Sequence, residues 1–270
     1  MRPRIAIPVP HGDPEYAARA LPQYERAVEM AGGEPVAIPL DKTPAEIMRI
    51  IERCDGVLLP GSKADVDPAK YGAPRHPDTA PSDAKRDTVD ELLLQDAYNM
   101  RKPILGVCYG LQILNVYRSG SLLQHIESAV NHAAGRKVAV AHAVEVDPKS
   151  RLAEVIAGDP NRGGHGFSRA EKPPQGGGDL APGGPLIPVN SSHHQSADVI
   201  GDGMRAVARC PDDGIIEAVE GTSPDHFVLA VQWHPERSVD DDAPSRAIFR
   251  ALVEAARARN EKLVGEFEGL

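Results

Sequence analysis

The chain has 270 residues, of which 41% are hydrophobic and 4% aromatic, and its formal net charge is −9 at pH 7. This length and composition allow a sizeable core built mainly from aliphatic side chains. The negative charge, without a basic cluster, disfavours nucleic acid and anionic membranes as partners. No apolar run is as long as the about 18 residues that a membrane-spanning helix needs. The first residues lack the apolar region of a signal peptide. We therefore expect a cytoplasmic protein.

The first half of the chain alternates between short apolar runs and segments of helical character. The alternation predicts an α/β fold with a mostly parallel central sheet and helices on both faces. Thr43-Pro44-Ala45-Glu46 has the pattern of a capping box with proline at the first helical position. The predicted strands are 5–9, 34–39, 56–59 and 103–107, and the predicted helices are 16–31, 43–53 and 83–100.

The second half contains short strands with little helix between them. They are predicted at 143–146, 205–208, 215–219 and 227–231, where they extend the sheet, and a final helix follows at 245–261. Segment 158–185 is rich in glycine and proline, so it is predicted to be a surface loop, either a tolerated insertion or a lid. We expect a single domain over 1–270 that contains this loop.

Cys108 stands between an apolar run and a segment of helical spacing, with Gly106 and Gly110 on either side. A strand, a sharp turn and a helix with a thiol at the apex are typical of a nucleophile elbow. Free N–H groups at the helix start, including the backbone N–H of Tyr109, can bind an oxyanion. The helix N-terminus and a nearby base are expected to lower the thiol pKa. Cys108 is therefore predicted to be the thiol that alkylating agents modify first.

His234 and Glu236 follow another apolar run and are two residues apart, so their side chains can point to the same side. Glu236 could hold His234 in one tautomer while His234 takes the proton of Cys108. The other two cysteines, Cys54 and Cys210, are interpreted as structural. Three cysteines without C-x-x-C spacing indicate neither a disulfide framework nor a zinc site.

Gly-Val-Cys-Tyr-Gly-Leu-Gln at 106–112 and Gln-Trp-His-Pro-Glu at 232–236 resemble the class I glutamine amidotransferase superfamily. Further stretches resemble its stand-alone branch, the C26 type of cysteine peptidase that includes gamma-glutamyl-gamma-aminobutyrate hydrolase. The resemblance spans about 5–253 and implies a flavodoxin-like architecture and hydrolysis of a small gamma-glutamyl amide, with no cofactor. The further stretches are 58–72, 120–124, 189–195 and 213–218.

The resemblance also implies roles for individual residues. The backbone N–H of Gly61 would be the second oxyanion donor. Gln112 would make a polar contact near the substrate, although a helix-capping or loop contact explains it equally well. His193 would bind the gamma-glutamyl head group. Members of the branch often carry arginine directly after the nucleophile, where this chain has Tyr109.

No metal site is expected from the sequence. His193 and His194 are adjacent but have no carboxylate or cysteine set beside them in the chain. Asp65 and Asp67 precede Pro68, and the pair is interpreted as forming a turn. The remaining histidines that we considered form no pattern, and they are His125, His132, His142 and His165.

Three functions remain open at this point. The leading one is a hydrolase of gamma-glutamyl amides. The second is a glutaminase subunit that supplies ammonia to a synthetase, and the third is a non-catalytic binding protein on the same fold. An α/β-hydrolase is disfavoured because its acid precedes its base, whereas Glu236 follows His234. The oligomeric state is open, and a homodimer is compatible with the sequence.

Overall fold

The computed structural model describes residues 1–158 and 183–268. The strands are β1 (Arg4–Pro8), β2 (Glu34–Ile38), β3 (Gly56–Leu59), β4 (Ile104–Val107), β5 (Leu122–Leu123), β6 (His142–Val146), β7 (Leu186–Val189), β8 (Ser196–Ala197), β9 (Met204–Arg209), β10 (Ile216–Gly221) and β11 (Val228–Val231). The helices are α1 (Pro14–Met30), α2 (Pro44–Ile51), α3 (Ala84–Met100), α4 (Tyr109–Tyr117), α5 (Arg151–Ala157) and α6 (Ala243–Glu268). Short 3₁₀ turns cover Pro68–Tyr71 and Pro235–Arg237.

Among the described residues, nine strands form one sheet in the order β2-β1-β3-β4-β11-β10-β9-β6-β7. From β2 to β11 the pairing is parallel, and from β11 to β7 it is antiparallel. The central strands β3, β4 and β11 are buried at every residue, which explains why their sequences are continuous apolar runs. The predicted α/β class is confirmed, and the strands of the second half extend the sheet as expected.

Helices cover both faces of the sheet, as the alternating side chains of β1 show. Ile5 and Ile7 belong to one apolar cluster, and Ala6 belongs to the other. The first cluster includes residues of α1, α5 and α6, whereas the second includes residues of α2, α3 and α4. Successive side chains of a strand point to opposite faces, so the two clusters are the two sides of one sheet.

Local signals account for several element boundaries. The predicted capping box is present, because Thr43 and Glu46 bond each other's backbone N–H at the start of α2. Helix α1 begins at Pro14, earlier than predicted, since the Asp13 carboxylate caps it. The sequence pattern missed α5, which Ser150 caps, and also the short strands β5, β7 and β8. Segment 159–182, the larger part of the predicted loop, lies outside the described residues, so its role stays a prediction.

No helix in the described part of the chain combines the length and hydropathy that a membrane crossing needs.

Two glycines allow helix α4 to lie directly on the sheet. A Cβ atom on Gly110 would lie 2.1 Å from the carbonyl oxygen of Leu59 in β3. A Cβ atom on Gly106 would lie 2.8 Å from the backbone of Gly110. Neither contact can be relieved by rotating a side chain, because both involve backbone atoms. Cys108, the middle one of the three residues between these glycines, is therefore held by backbone packing against two strands.

Gly110→Ala is expected to lower the free energy of unfolding by about 3 kcal/mol or more, because the methyl group must displace strand β3. Gly72→Ala is the matched control. Its φ of 68° is left-handed, but a Cβ there meets nothing within 4 Å, so the expected loss is about 1 kcal/mol. Urea unfolding followed by circular dichroism measures both losses. Equal losses would contradict the packing argument.

Candidate active site

Cys108 lies at the turn between β4 and α4 with φ 53° and ψ −107°. A non-glycine residue with positive φ is strained, and such strain persists only where the surroundings impose it. The backbone N–H of Cys108 donates to the carbonyl oxygen of Val231 at 2.8 Å, so β11 fixes the turn from the side. The predicted strand, sharp turn and helix are therefore present, with the thiol at the apex.

His234 and Glu236 follow β11, next to β4 in the sheet, and come to the same carboxyl edge. His234 Nδ1 lies 2.8 Å from Glu236 Oε1, and both side chains are buried. Asn190 holds the backbone of His234 at both ends, since Nδ2 donates to the carbonyl oxygen at 2.8 Å and Oδ1 accepts from the N–H at 3.0 Å. The imidazole is thus oriented by a carboxylate and anchored by a side-chain amide.

Gly61 brings the third strand to the same place. A Cβ atom on Gly61 would lie 3.1 Å from His234 Cε1 and 3.6 Å from Cys108 Cβ. The N–H of Gly61, however, donates to the hydroxyl oxygen of Tyr24 at 2.9 Å. Gly61 is therefore adjacent to the thiol and the imidazole, while its predicted oxyanion donor already has an acceptor inside the protein.

Arg86 positions the loop that carries Gly61. Its guanidinium is fully buried and lies 2.8 Å from the carboxylate of Asp90. Nη1 donates to the carbonyl oxygen of Pro10 at 2.8 Å, and Nη2 donates to that of Pro60 at 2.9 Å. One cation thus ties helix α3 to the loops that follow β1 and β3.

The protonation states at the site are set mainly by burial. Burial raises the pKa of the Cys108 thiol to about 12, although Arg237 and the backbone N–H of Tyr109 favour the thiolate. Burial likewise lowers the pKa of His234 from its usual value, against the charge of Glu236. Burial opposes ionisation of Glu236, but His234 and Arg237 hold the pKa of its carboxyl below the usual range. The resting pair is therefore a neutral thiol beside a neutral imidazole.

The expectation of a lowered thiol pKa at Cys108 is wrong. The start of α4 does contribute a favourable N–H, but the thiolate would be desolvated and would face the carboxylates of Glu236 and Asp65. Cys54 and Cys210 are buried as well, and none of the three thiols is oxidised to a disulfide. Because the Cys108 thiol is protonated at neutral pH, a larger thiolate fraction cannot be the reason for alkylating agents to modify Cys108 first.

The side chain of Tyr109 points away from the thiol. Its hydroxyl donates to Asp87 Oδ1 at 2.7 Å, and the Arg86 guanidinium lies 5.0 Å from the ring centroid. The ring belongs to the apolar cluster on the opposite face from Cys108. Only the backbone of Tyr109 faces the thiol, and its side chain packs against α3.

Gln112 and His193 meet at one carbonyl group. Gln112 Nε2 donates to the carbonyl oxygen of Gln195 at 3.1 Å, and His193 Nδ1 lies 2.9 Å from the same oxygen. Gln112 thus makes the loop contact that was one of its two interpretations. A substrate contact of Gln112 or His193 stays a prediction.

The remaining polar residues of the sequence analysis have identifiable partners. Asp67 accepts from the N–H of Ala69 and starts the 3₁₀ turn, as expected. Asp65 accepts from the N–H of Ala80 at 2.7 Å and lies 3.0 Å from His194 Nε2. Both aspartates therefore organise the long loop between β3 and α3.

The sequence patterns missed several residues that shape the site. Tyr24 and Arg86 lie on helices far from the motifs, and no local signal distinguishes them from other helical residues. Arg237 follows the His-Pro-Glu stretch directly, and its Nη1 donates to Ser192 Oγ at 2.8 Å. Only Arg237 could have been noticed from its position in the sequence.

Two of the histidines that formed no pattern in the sequence, His132 and His142, lie close together in space. His132, His142 and His193 converge on the buried carboxylate of Glu217. The premise that no carboxylate lies near His193 therefore fails, because Glu217 comes from β10 and is distant only along the chain. His125 stacks on His76 at the surface instead, and His165 lies outside the described residues.

Comparisons with known proteins identify the family of this chain. The model of the peptidase C26 family matches residues 10–236. Rv2859c of Mycobacterium tuberculosis, which carries a glutamine amidotransferase name, is 34% identical over 86% of this chain and 66% of its own length. A gamma-glutamyl-gamma-aminobutyrate hydrolase of Escherichia coli O157:H7 is 30% identical over 87% of this chain and 85% of its own. This chain thus spans about two thirds of the first relative and most of the second.

A solved structure from Thermoplasma acidophilum, which carries the name of a GMP synthase component, superposes with a TM-score of 0.61. It is 15% identical and covers 97% of this chain and 98% of its own, so it supports the fold alone. The fold is that of a class I glutamine amidotransferase-like protein. The chain belongs to the peptidase C26 family and is a hydrolase of that type.

Proposed function

We propose that this protein hydrolyses the amide bond of a small gamma-glutamyl compound through a thioester on Cys108. The observation that carries the proposal is the strained Cys108 turn together with the buried His234–Glu236 pair. A Cβ atom on Gly61 would lie within 4 Å of both Cys108 and His234, which brings the two groups to one place. The gamma-glutamyl class of substrate rests on the relatives that are named for this activity at 30% identity.

The proposed reaction has two halves that share one base. His234 takes the proton of the Cys108 thiol as the sulfur attacks the carboxamide carbon. The tetrahedral intermediate then expels the amine, which leaves with that proton, and a thioester remains. A water molecule activated by His234 attacks the thioester and releases a gamma-carboxylate and the free thiol. Because the resting thiol is neutral, deprotonation is coupled to attack.

The oxyanion would be stabilised by two backbone donors, Tyr109 N–H and Gly61 N–H. The first is at the start of α4, where it already favours negative charge on the sulfur. The second must exchange the hydroxyl oxygen of Tyr24 for the substrate oxygen. Such donors are typically worth about 10²–10³ in kcat each, so this exchange lies on the path to the transition state.

The test of the proposal is a screen of gamma-glutamyl amides with amine release read by mass spectrometry, using wild type and Cys108→Ala. We expect turnover of at least one amide by the wild type and none above background by the variant. Turnover of glutamine that requires an added synthetase would favour the glutaminase alternative. Substantial activity of the variant would refute the nucleophile.

The pH profile should report the neutral state of His234. Burial lowers the His234 pKa from 6.5, so kcat/KM should fall only below that pH, as the imidazole takes a proton. Glu236 raises the His234 pKa, so Glu236→Gln should move the acidic limb to still lower pH and reduce the maximum rate.

His234→Ala is the comparison variant, and its kcat/KM is expected to be about 10²–10⁴-fold lower than that of the wild type. The loss in Glu236→Gln should be smaller, because orientation is replaced more easily than proton transfer. An acidic limb that stays in place in Glu236→Gln would show that Glu236 does not act on His234.

Tyr24→Phe should raise kcat by about two- to tenfold, since it removes the acceptor that competes with the oxyanion for Gly61 N–H, a net bond of roughly 0.5–1.5 kcal/mol. The same variant should unfold more easily by about 1 kcal/mol, because the N–H loses its partner. Tyr98→Phe is the control with unchanged kcat, since the Tyr98 ring stacks on Tyr117. A lower kcat in Tyr24→Phe would mean that the hydroxyl itself assists the reaction.

A further inference from the structure

A second polar cluster lies beyond the catalytic residues, on strand β10. The carboxylate of Glu217 is fully buried and faces three imidazoles from different parts of the chain. Its Oε1 lies 3.2 Å from His132 Nδ1, 3.0 Å from His142 Nε2 and 3.6 Å from His193 Nε2. Four ionisable side chains thus share one site, and the proposed reaction steps use none of them as nucleophile, base or oxyanion donor.

The contacts of this cluster are not all hydrogen bonds. His142 Nε2 bonds Glu217 Oε1, but His132 Nδ1 and His193 Nε2 have no hydrogen-bond partner among the described residues despite their short distances. Glu217 Oε2 is also buried without a partner in the described part of the chain. Leaving such atoms unpaired costs about 1–3 kcal/mol each. Two ring nitrogens and a carboxylate therefore converge as if on a common centre.

The far sides of the two imidazoles are already committed. His132 Nε2 lies 2.8 Å from Asp213 Oδ2, and His193 Nδ1 lies 2.9 Å from the carbonyl oxygen of Gln195. A carbonyl oxygen can only accept, so Nδ1 of His193 carries the hydrogen, and Nε2 of the neutral ring presents a lone pair. A carboxylate or carbonyl behind the imidazole is the arrangement that orients histidine ligands toward a metal ion.

We propose that His132 Nδ1, His193 Nε2 and Glu217 bind a divalent transition-metal ion of the zinc type. These three ligand atoms lie within 4.8 Å of one another and belong to buried residues. Tetrahedral bonds of about 2.0–2.1 Å place neighbouring ligand atoms roughly 3.3 Å apart, close to the 3.2 and 3.6 Å observed here. Two histidines and a glutamate leave a fourth position for water or a small carboxylate.

The proposal does not rest on amide hydrolysis, and its test reads metal binding directly. Metal-stripped wild type is titrated with Zn²⁺ against a chromophoric chelator, and bound metal is counted by mass spectrometry after dialysis. We expect one Zn²⁺ per chain, and the same count in Cys108→Ala, which lacks the catalytic thiol. A folded wild type that retains no metal would overturn the proposal and leave a proton to bridge the cluster.

Variants then assign the ligands. Glu217→Gln and His193→Ala should weaken Zn²⁺ binding at least 100-fold, whereas His125→Ala, in the surface group with His76 and Asp78, should leave it unchanged. Asp213→Asn should cost about 10–100-fold, as expected for a partner behind a ligand. The Asp213 side chain is only partly buried, so the Asp213→Asn protein should still fold. Unchanged affinity in both Glu217→Gln and Asp213→Asn would overturn the assignment.

The absorption spectrum of the Co²⁺-loaded protein distinguishes the proposed ligand set from a neighbouring group that contains a cysteine. His132, Cys210 and Asp213 form a second group with metal-ligand spacing, in which His132 Nε2 faces Asp213. A thiolate charge-transfer band in the Co²⁺ spectrum would place the metal there and refute the ligand set proposed here. A spectrum without that band, and unchanged by Cys210→Ser, would support it.

Discussion

The contact between Gly110 and strand β3 is the constraint on which the site depends. Because a Cβ atom at Gly110 would lie 2.1 Å from the Leu59 carbonyl oxygen, helix α4 can start where it does only without a side chain there. That position forces Cys108 into a left-handed turn and brings the start of α4 beside the end of β3. The thiol and both backbone donors proposed for the oxyanion, Tyr109 and Gly61, follow from one backbone approach.

Burial then decides how the thiol can react. A thiolate stabilised by an ion pair would need a permanent cation beside the sulfur, but the field at Cys108 includes Glu236 and Asp65 as well as Arg237. The proton therefore stays on sulfur in the resting protein. Such a site keeps a buried thiol unreactive in the absence of substrate. It also requires that the pKa of His234 stay low, so that the imidazole is neutral and can accept the proton.

The sequence predicted what local pattern determines. The strands around Cys108 and His234 are buried on both faces, so their apolar runs and the glycines of the turn are visible without a structure. Tyr24 and Arg86 were not predicted, and His132 was placed among histidines without a pattern, because the roles of these residues exist only after the chain has folded. The pKa of Cys108 was predicted wrongly for the same reason, since burial depends on the whole fold.

The segment from Asn190 to Gln195 joins the two polar clusters of the molecule. Asn190 bonds the backbone of His234, while three residues later His193 turns into the Glu217 cluster. The carbonyl oxygen of Gln195 accepts from Gln112 on helix α4 and faces His193 Nδ1. A group that fixes His193 would therefore also support the backbone of His234 and the helix that carries the Cys108 thiol. A reaction between Cys108 and His234 needs the two side chains to be held within about 0.5 Å of the productive geometry. Segment 190–195 contacts the supports of both residues, so it can fix their relative position without taking part in the reaction.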